Sequence, residues 1–165
     1  IIAPRPPVDA YFWVKPPGDS DGISDPSAAR FDDRLSSRPT PTGLTIRAGL
    51  IGTGAYGTPL LAQAQVIPRL SVPVICEQDL TVAQQACQQA GIPGDQIVIC
   101  ENRPAVLHAI EDQKWAIVQD ATLLMDAPLD VIVECTGNPE AGAHHAALAI
   151  QHGKHMAMVT KETDS

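Results

Sequence analysis

Gly52, Gly54 and Gly57 stand in the run GTGAYG with the spacing G-x-G-x-x-G. An apolar stretch, TIRAGLI, leads into the run, and a stretch of helical character follows it. Glycines at this spacing are a weak signal alone, but strand, turn and helix in this order are what a diphosphate-binding turn requires. The first glycine permits the tight turn, the second lets a pyrophosphate reach the backbone, and the third lets helix and strand pack closely. Thr53, Ala55 and Tyr56 complete the run at a helix N-terminus, where unpaired N–H groups and the positive dipole end attract phosphate.

A dinucleotide also needs an acceptor for its ribose hydroxyls, about 20 residues further on, at the end of the second strand. Glu77 in VICEQD stands there, with Asp79 just beyond. A carboxylate at that point accepts from both hydroxyls and repels a 2′-phosphate. Neither Gln78 nor Asp79 is an arginine, so the pattern favours NAD over NADP. The plainer alternative is a strand-end acid that caps the next helix. In DVIVECTGNPEAG, Thr136 and Gly137 close another apolar run with a small-residue turn. Such a turn can lie against the nicotinamide half of the cofactor, or it can be an ordinary strand-to-helix connection. His144, His145, His152 and His155 invite a metal reading. Adjacent helical residues point about 100° apart, however, and no H-E-x-x-H is present, so no metal is expected.

WVKPPGDSDG, residues 13–22, points to other chemistry. Trp13 could stack on a sugar face, Lys15 could bind a hydroxyl, and Asp19 or Asp21 could activate water. Inverting glycoside cleavage needs two carboxyl groups about 6.5–9.5 Å apart. By composition alone the stretch reads as a surface turn of Pro, Gly and Asp.

The elements that must position these groups fall into two unlike parts. Residues 1–43 hold eight of the fifteen prolines and four of the aromatics, Tyr11, Phe12, Trp13 and Phe31. They show no sustained helical period and read as mostly irregular, with one short strand in AYFWV and a linker at RPTPTG, residues 38–43. From Leu44 apolar strands alternate with Ala/Gln-rich helices. Strands are expected at 45–51, 72–77, 96–100, 129–135 and 154–160, with a further short one in WAIVQD. Helices are expected from near Tyr56, over 79–90, over 103–113, in ATLLMDA and over 139–152. The class is therefore α/β, a Rossmann-type doubly wound parallel sheet preceded by a Pro-rich, mostly irregular N-terminal segment.

A chain of 165 residues suffices for one domain with a real core and not for two full enzymes. Its net charge of −8 argues against nucleic acid, and no apolar run approaches the roughly 20 residues of a membrane span. Cys76, Cys87, Cys100 and Cys135 form no C-x-x-C pair, and three lie in strand-like runs, so buried free thiols and a reducing, cytoplasmic setting are expected. The chain begins at Ile1 without a leader or initiator Met and reads as a fragment.

Residues 44–165 resemble the N-terminal NAD(P)-binding domain of homoserine-dehydrogenase-like oxidoreductases, in particular those with a C-terminal SAF domain. The resemblance rests on AGLIGTGAYG, VICEQDLTVA and LDVIVECTGNPEAGAHHAALAIQHGKHMAMVTKETDS. It implies an NAD(P)-dependent oxidoreductase acting on a small molecule. It further implies a lysine near nicotinamide or substrate at Lys161 in VTKETD, and a substrate-binding portion that would follow Ser165.

Residues 1–34 resemble part of the C-terminal region of glycoside hydrolase family 6, the inverting cellobiohydrolases and endoglucanases. Lys15 matches a lysine of the substrate cleft, Asp21 the proposed catalytic base, and Arg30 a further arginine. Asp19 stands where Glu is usual, and Leu35 where a disulfide cysteine is usual. That family implies a secreted enzyme, and its catalytic acid precedes this region. A fused, truncated or mis-joined coding sequence accounts for both resemblances better than a bifunctional enzyme. The expected function is thus an incomplete NAD-dependent oxidoreductase. The alternatives are a remnant of a cellulose-degrading hydrolase and a non-catalytic dinucleotide-binding module.

With no donor to protonate the leaving oxygen, the chain should release no cellobiose from a soluble cellulose derivative. Release abolished by Asp21→Asn would overturn this.

Overall fold

Six strands and five α-helices alternate along residues 44–161, the part of the chain that the computed structural model describes. These residues fall within one unit that runs from Pro41 to Ser165. In chain order the elements are β1 (Ile46–Ile51), α1 (Gly57–Ala64), β2 (Leu70–Cys76), α2 (Leu80–Gln89), β3 (Ile97–Ile99), α3 (Arg103–Glu111), β4 (Trp115–Val118), α4 (Ala121–Met125), β5 (Val131–Glu134), α5 (Pro139–Gln151) and β6 (His155–Met158). A 3-10 turn, Gly94–Gln96, precedes β3. Every strand pairing is parallel, in the order β3-β4-β2-β1-β5-β6. This is a Rossmann-type doubly wound sheet. The short strand expected in WAIVQD forms as β4 and lies between β3 and β2.

The strands are apolar because both faces of the sheet are covered. On one face Leu50, Leu61, Ile75, Cys87 and Ile117 join α1 and α2 to the sheet. On the other, Ile51, Val74, Val106, Val118, Leu124 and Ile132 do the same for α3, α4 and α5. All four cysteines are buried and free, as their apolar runs imply. Between Arg47 and Gly49 the register of β1 against β2 slips by one residue, opposite Pro73, which has no N–H to give. Val72 and Ile75 consequently face the same core, while Val74 and Cys76 face the other.

Because β1 pairs with β2 on one side and β5 on the other, the chain reverses its direction of travel across the sheet at this strand. A crevice opens at the carboxyl ends of the strands at such a reversal. Four helices begin with a side-chain cap. Asp79 caps α2, Asn102 caps α3, Asp120 caps α4 and Asn138 caps α5. Among the described α-helices only α1, entered at Tyr56, has no side-chain cap, and its first turn holds no acid. Among the described residues no helix is long and apolar enough to cross a membrane.

Asn102 accepts from Ala105 N at 3.0 Å and lies away from the crevice residues named below. Losing such a cap costs about 1 kcal/mol. Asn102→Ala should therefore lower the melting temperature by about 4 °C, and nucleotide affinity should not change; thermal unfolding and a binding titration check both.

Candidate functional site

A cleft of about 680 Å³ opens where β1, β2 and β5 end. Its floor is the Gly52–Thr53–Gly54 turn. The backbone itself requires two of the three glycines, each for a different reason. Gly52 has φ +91, and a Cβ there would lie 2.9 Å from the Cys135 carbonyl oxygen. A Cβ on Gly57 would collide with the Gly52 carbonyl oxygen, so α1 could not approach β1. At Gly54 a Cβ would meet nothing within 4 Å. The backbone there is bare and faces open space, beside the uncapped start of α1.

Glu77 leaves the end of β2 and turns to the glycine turn. Its Oε2 accepts from Thr53 N and from Thr53 Oγ1, both at 2.9 Å, while Oε1 accepts from Gln78 N at 2.9 Å. The capping role that was the alternative for Glu77 falls to Asp79, which accepts from Thr81 N at 2.8 Å. Thr58 Oγ1 donates to the Thr53 carbonyl at 2.7 Å and fixes the turn from the helix side. Past Glu77 the cleft is walled by Gln78, Val82 and Gln119, whose Nε2 donates to the Gln78 carbonyl at 2.7 Å.

The opposite wall comes from the end of β5 and the first turns of α5, with Thr136, Asn138, His144 and His145. Cys135 Sγ donates to the carbonyls of Ile51 and Gly52, at 3.2 and 3.0 Å. Burial pushes its thiol up to about 12, helped by the charges of Glu134 and Glu77, so it stays protonated and serves as a donor rather than a nucleophile. Beneath this wall Glu134 is fully buried. Its Oε1 accepts from Thr136 N at 3.0 Å and from Thr136 Oγ1. His145 Nδ1 lies 3.8 Å from the same oxygen, and neither that nitrogen nor Glu134 Oε2 has a hydrogen bond of good geometry.

Of the residues singled out in the sequence, Gly52, Thr53, Gly54, Glu77 and Thr136 line one cleft. Gly57 supports it from below. Ala55 and Tyr56 are exposed at the turn and do not line the cleft. Gly137 adopts φ +70 and donates its N–H to Thr160 Oγ1 at 3.0 Å. Lys161 is exposed and is not brought into the cleft. Lys15 and Asp21 lie outside the described residues. Among the described residues no three His, Cys, Asp or Glu side chains gather as a metal site. Sequence reasoning missed Glu134 and the pairing of His145 with it. An acid inside the apolar run DVIVEC was the available signal.

Solved structures share this architecture. Myo-inositol dehydrogenase from Lactobacillus casei, in complex with NAD(H) and myo-inositol, is 19% identical with a TM-score of 0.50, over 70% of this chain and 28% of its own. A dehydrogenase from Chromobacterium violaceum is 19% identical with a TM-score of 0.48, over 70% of this chain and 28% of its own. For myo-inositol 2-dehydrogenase from Lactobacillus plantarum the values are 14% and 0.49, over 69% of this chain and 27% of its own. At such identities the likeness is one of fold. The chain spans little more than a quarter of the length of these proteins. Residues 3–50 match the model of Glycosyl hydrolases family 6, so that match runs past the expected boundary near residue 43 and through most of β1. No curated protein matches the chain.

Burial alone would raise the Glu134 carboxyl, but hydrogen bonding from Thr136, the Thr160 hydroxyl close by and the nearby His145 outweigh it and hold it below its ordinary 4.5. For His145, burial outweighs the attraction of Glu134 and holds the imidazole below its ordinary 6.5. Both groups bind protons more readily in the unfolded chain, so their contribution to stability is complete above the unfolded values and is lost as pH falls through the folded ones. The melting temperature should therefore drop once below pH 6.5 and again below pH 4.5. His145→Gln should remove the first step; a first step of the same size in the variant would refute this assignment.

Proposed function

We propose that residues 44–165 are the NAD-binding domain of an oxidoreductase. One observation carries the reading. Gly54 presents bare backbone, with open space for a Cβ, at the one start among the described α-helices that has no side-chain cap, and Glu77 stands in the same cleft. A pyrophosphate at that point would receive the backbone N–H groups of the entry to α1, from Gly54 to Gly57, since Thr58 N already donates to the Gly54 carbonyl and Pro59 has none. Glu77 and Gln78 would take the adenine ribose, since Oε1 accepts only from Gln78 N and keeps a lone pair, while Thr53 occupies both of those on Oε2. Thr136 and Gly137 would border the nicotinamide half. When bound, the cofactor supplies or accepts the hydride.

The finer assignment, a homoserine-dehydrogenase-like enzyme acting on a small molecule, is supported by the sequence resemblance of VICEQD, DVIVECTGNPEAG and VTKETD. Lys161 would reach the reacting centre only with a rearrangement of the strand end or with a further portion of the enzyme packed there. A cytoplasmic setting is supported by the four buried free thiols. Under the same reading the chain has two parts, 1–43 and 44–165. A second reading, a cellulase-derived segment at the N-terminus, is favoured by the family 6 match over residues 3–50.

The test is a fluorescence titration with NADH and NADPH. Glu77 would oppose a 2′-phosphate, and a charged hydrogen bond is worth about 1.5–3 kcal/mol, so NADH should bind about ten- to a hundredfold more tightly. Glu77 also anchors Thr53, so Glu77→Ala should weaken both cofactors while narrowing the gap between them. Gly54→Val should abolish binding of both. Equal affinities with Glu77 intact would remove the ribose assignment, and binding of neither would remove the function.

A further inference from the structure

Glu134 is the only charged side chain among the described residues that is withdrawn from water. It sits at the last position of β5, under the rim of the cleft. The groups that hold it all belong to that rim. Thr136 gives it both backbone N–H and hydroxyl, and the Thr160 hydroxyl, close by, helps to hold the charge. Thr160 Oγ1 in turn accepts from Gly137 N at 3.0 Å. The N–H groups of Thr136 and Gly137 are thereby both directed inward, to one buried carboxylate and the hydroxyl beside it.

The outward face of the turn is left small. A Cβ at Gly137 would meet nothing within 4 Å, and its φ of +70 is one that side-chain-bearing residues rarely adopt. A flat ring could lie there without displacing anything. Burying a carboxylate is a poor way to stabilise a sheet, since an apolar residue of similar volume often serves as well or better. What the carboxylate does supply is directed acceptance, which fixes geometry.

We infer that Glu134 is a positioning residue, which through Thr136 and Thr160 holds the Thr136–Gly137 turn in the form that receives the nicotinamide ring. This rests on the dinucleotide reading above. It goes further by separating the two halves of the cofactor: Glu77 and the glycine turn hold the adenylate and diphosphate, and Glu134 acts on the nicotinamide half alone.

ADP-ribose, which lacks the nicotinamide, distinguishes the halves. In the full chain, Glu134→Gln should weaken NADH roughly tenfold and diminish the blue shift of its emission on binding. ADP-ribose affinity should stay within about twofold. Thr160→Val removes one member of the network without touching the carboxylate and should give a smaller loss of the same selectivity. If Glu134→Gln does not fold, the Thr160→Val comparison decides the matter alone. A variant that weakens both nucleotides equally, or that binds NADH with the affinity and emission of the parent, overturns the inference while ADP-ribose binding by the parent leaves the cofactor site standing. A parent chain that binds neither nucleotide overturns both.

Discussion

The start of α1 lies against the end of β1 with only a hydrogen at Gly57 between the helix and the Gly52 carbonyl. Everything at the cleft depends on this approach. It sets the entry to α1 directly over the strand end, and it leaves Thr53 close enough for Glu77 to grip. Cys135 completes the arrangement from the next strand, donating its buried thiol to the carbonyls of Ile51 and Gly52. The turn is thus held from β2, from β5 and from its own helix, before any ligand arrives.

Two carboxylates with opposite surroundings organise the two ends of the cleft. Glu77 is partly exposed, and part of its hydrogen-bonding capacity stays open to a ligand. Glu134 is sealed under the rim, with Thr136 and Thr160 around it and His145 near, and it acts only through them. The first holds the turn and also lines the open cleft; the second is closed off beneath it. That division follows from one residue of difference in placement: Glu77 is the first residue after its strand, and Glu134 the last residue within its own.

Much of the fold was legible in the sequence because its signals are local. The glycine spacing, the apolar strands and the Ala/Gln-rich helices between them each act within a few positions. The line between Glu77 and Asp79 was not legible, since either could cap α2 and only the direction of the chain after Cys76 decides which does. Lys161 shows the opposite case: its place in a motif pointed to the cleft, while its exposed position is set by how β6 ends. Glu134 was hidden because Thr136 beside it gives no sign of burial, while its other neighbours, His145 and Thr160, lie further along the chain and leave no period in the sequence.

The slipped register at Pro73 bears on how the distance from turn to acid is counted. In β2 side chains alternate between the two cores, yet Val72 and Ile75 share one because a residue is interposed there. Excising Pro73 would straighten the strand and leave Ile75, Cys76 and Glu77 on the faces they now occupy. Excising Ile75 or Cys76 instead would turn the remaining strand end over and carry the carboxylate away from Thr53. The interval between Gly52 and its acid is therefore elastic by one residue at a single point, and chains of this architecture can differ there in length while keeping the same grip on the turn.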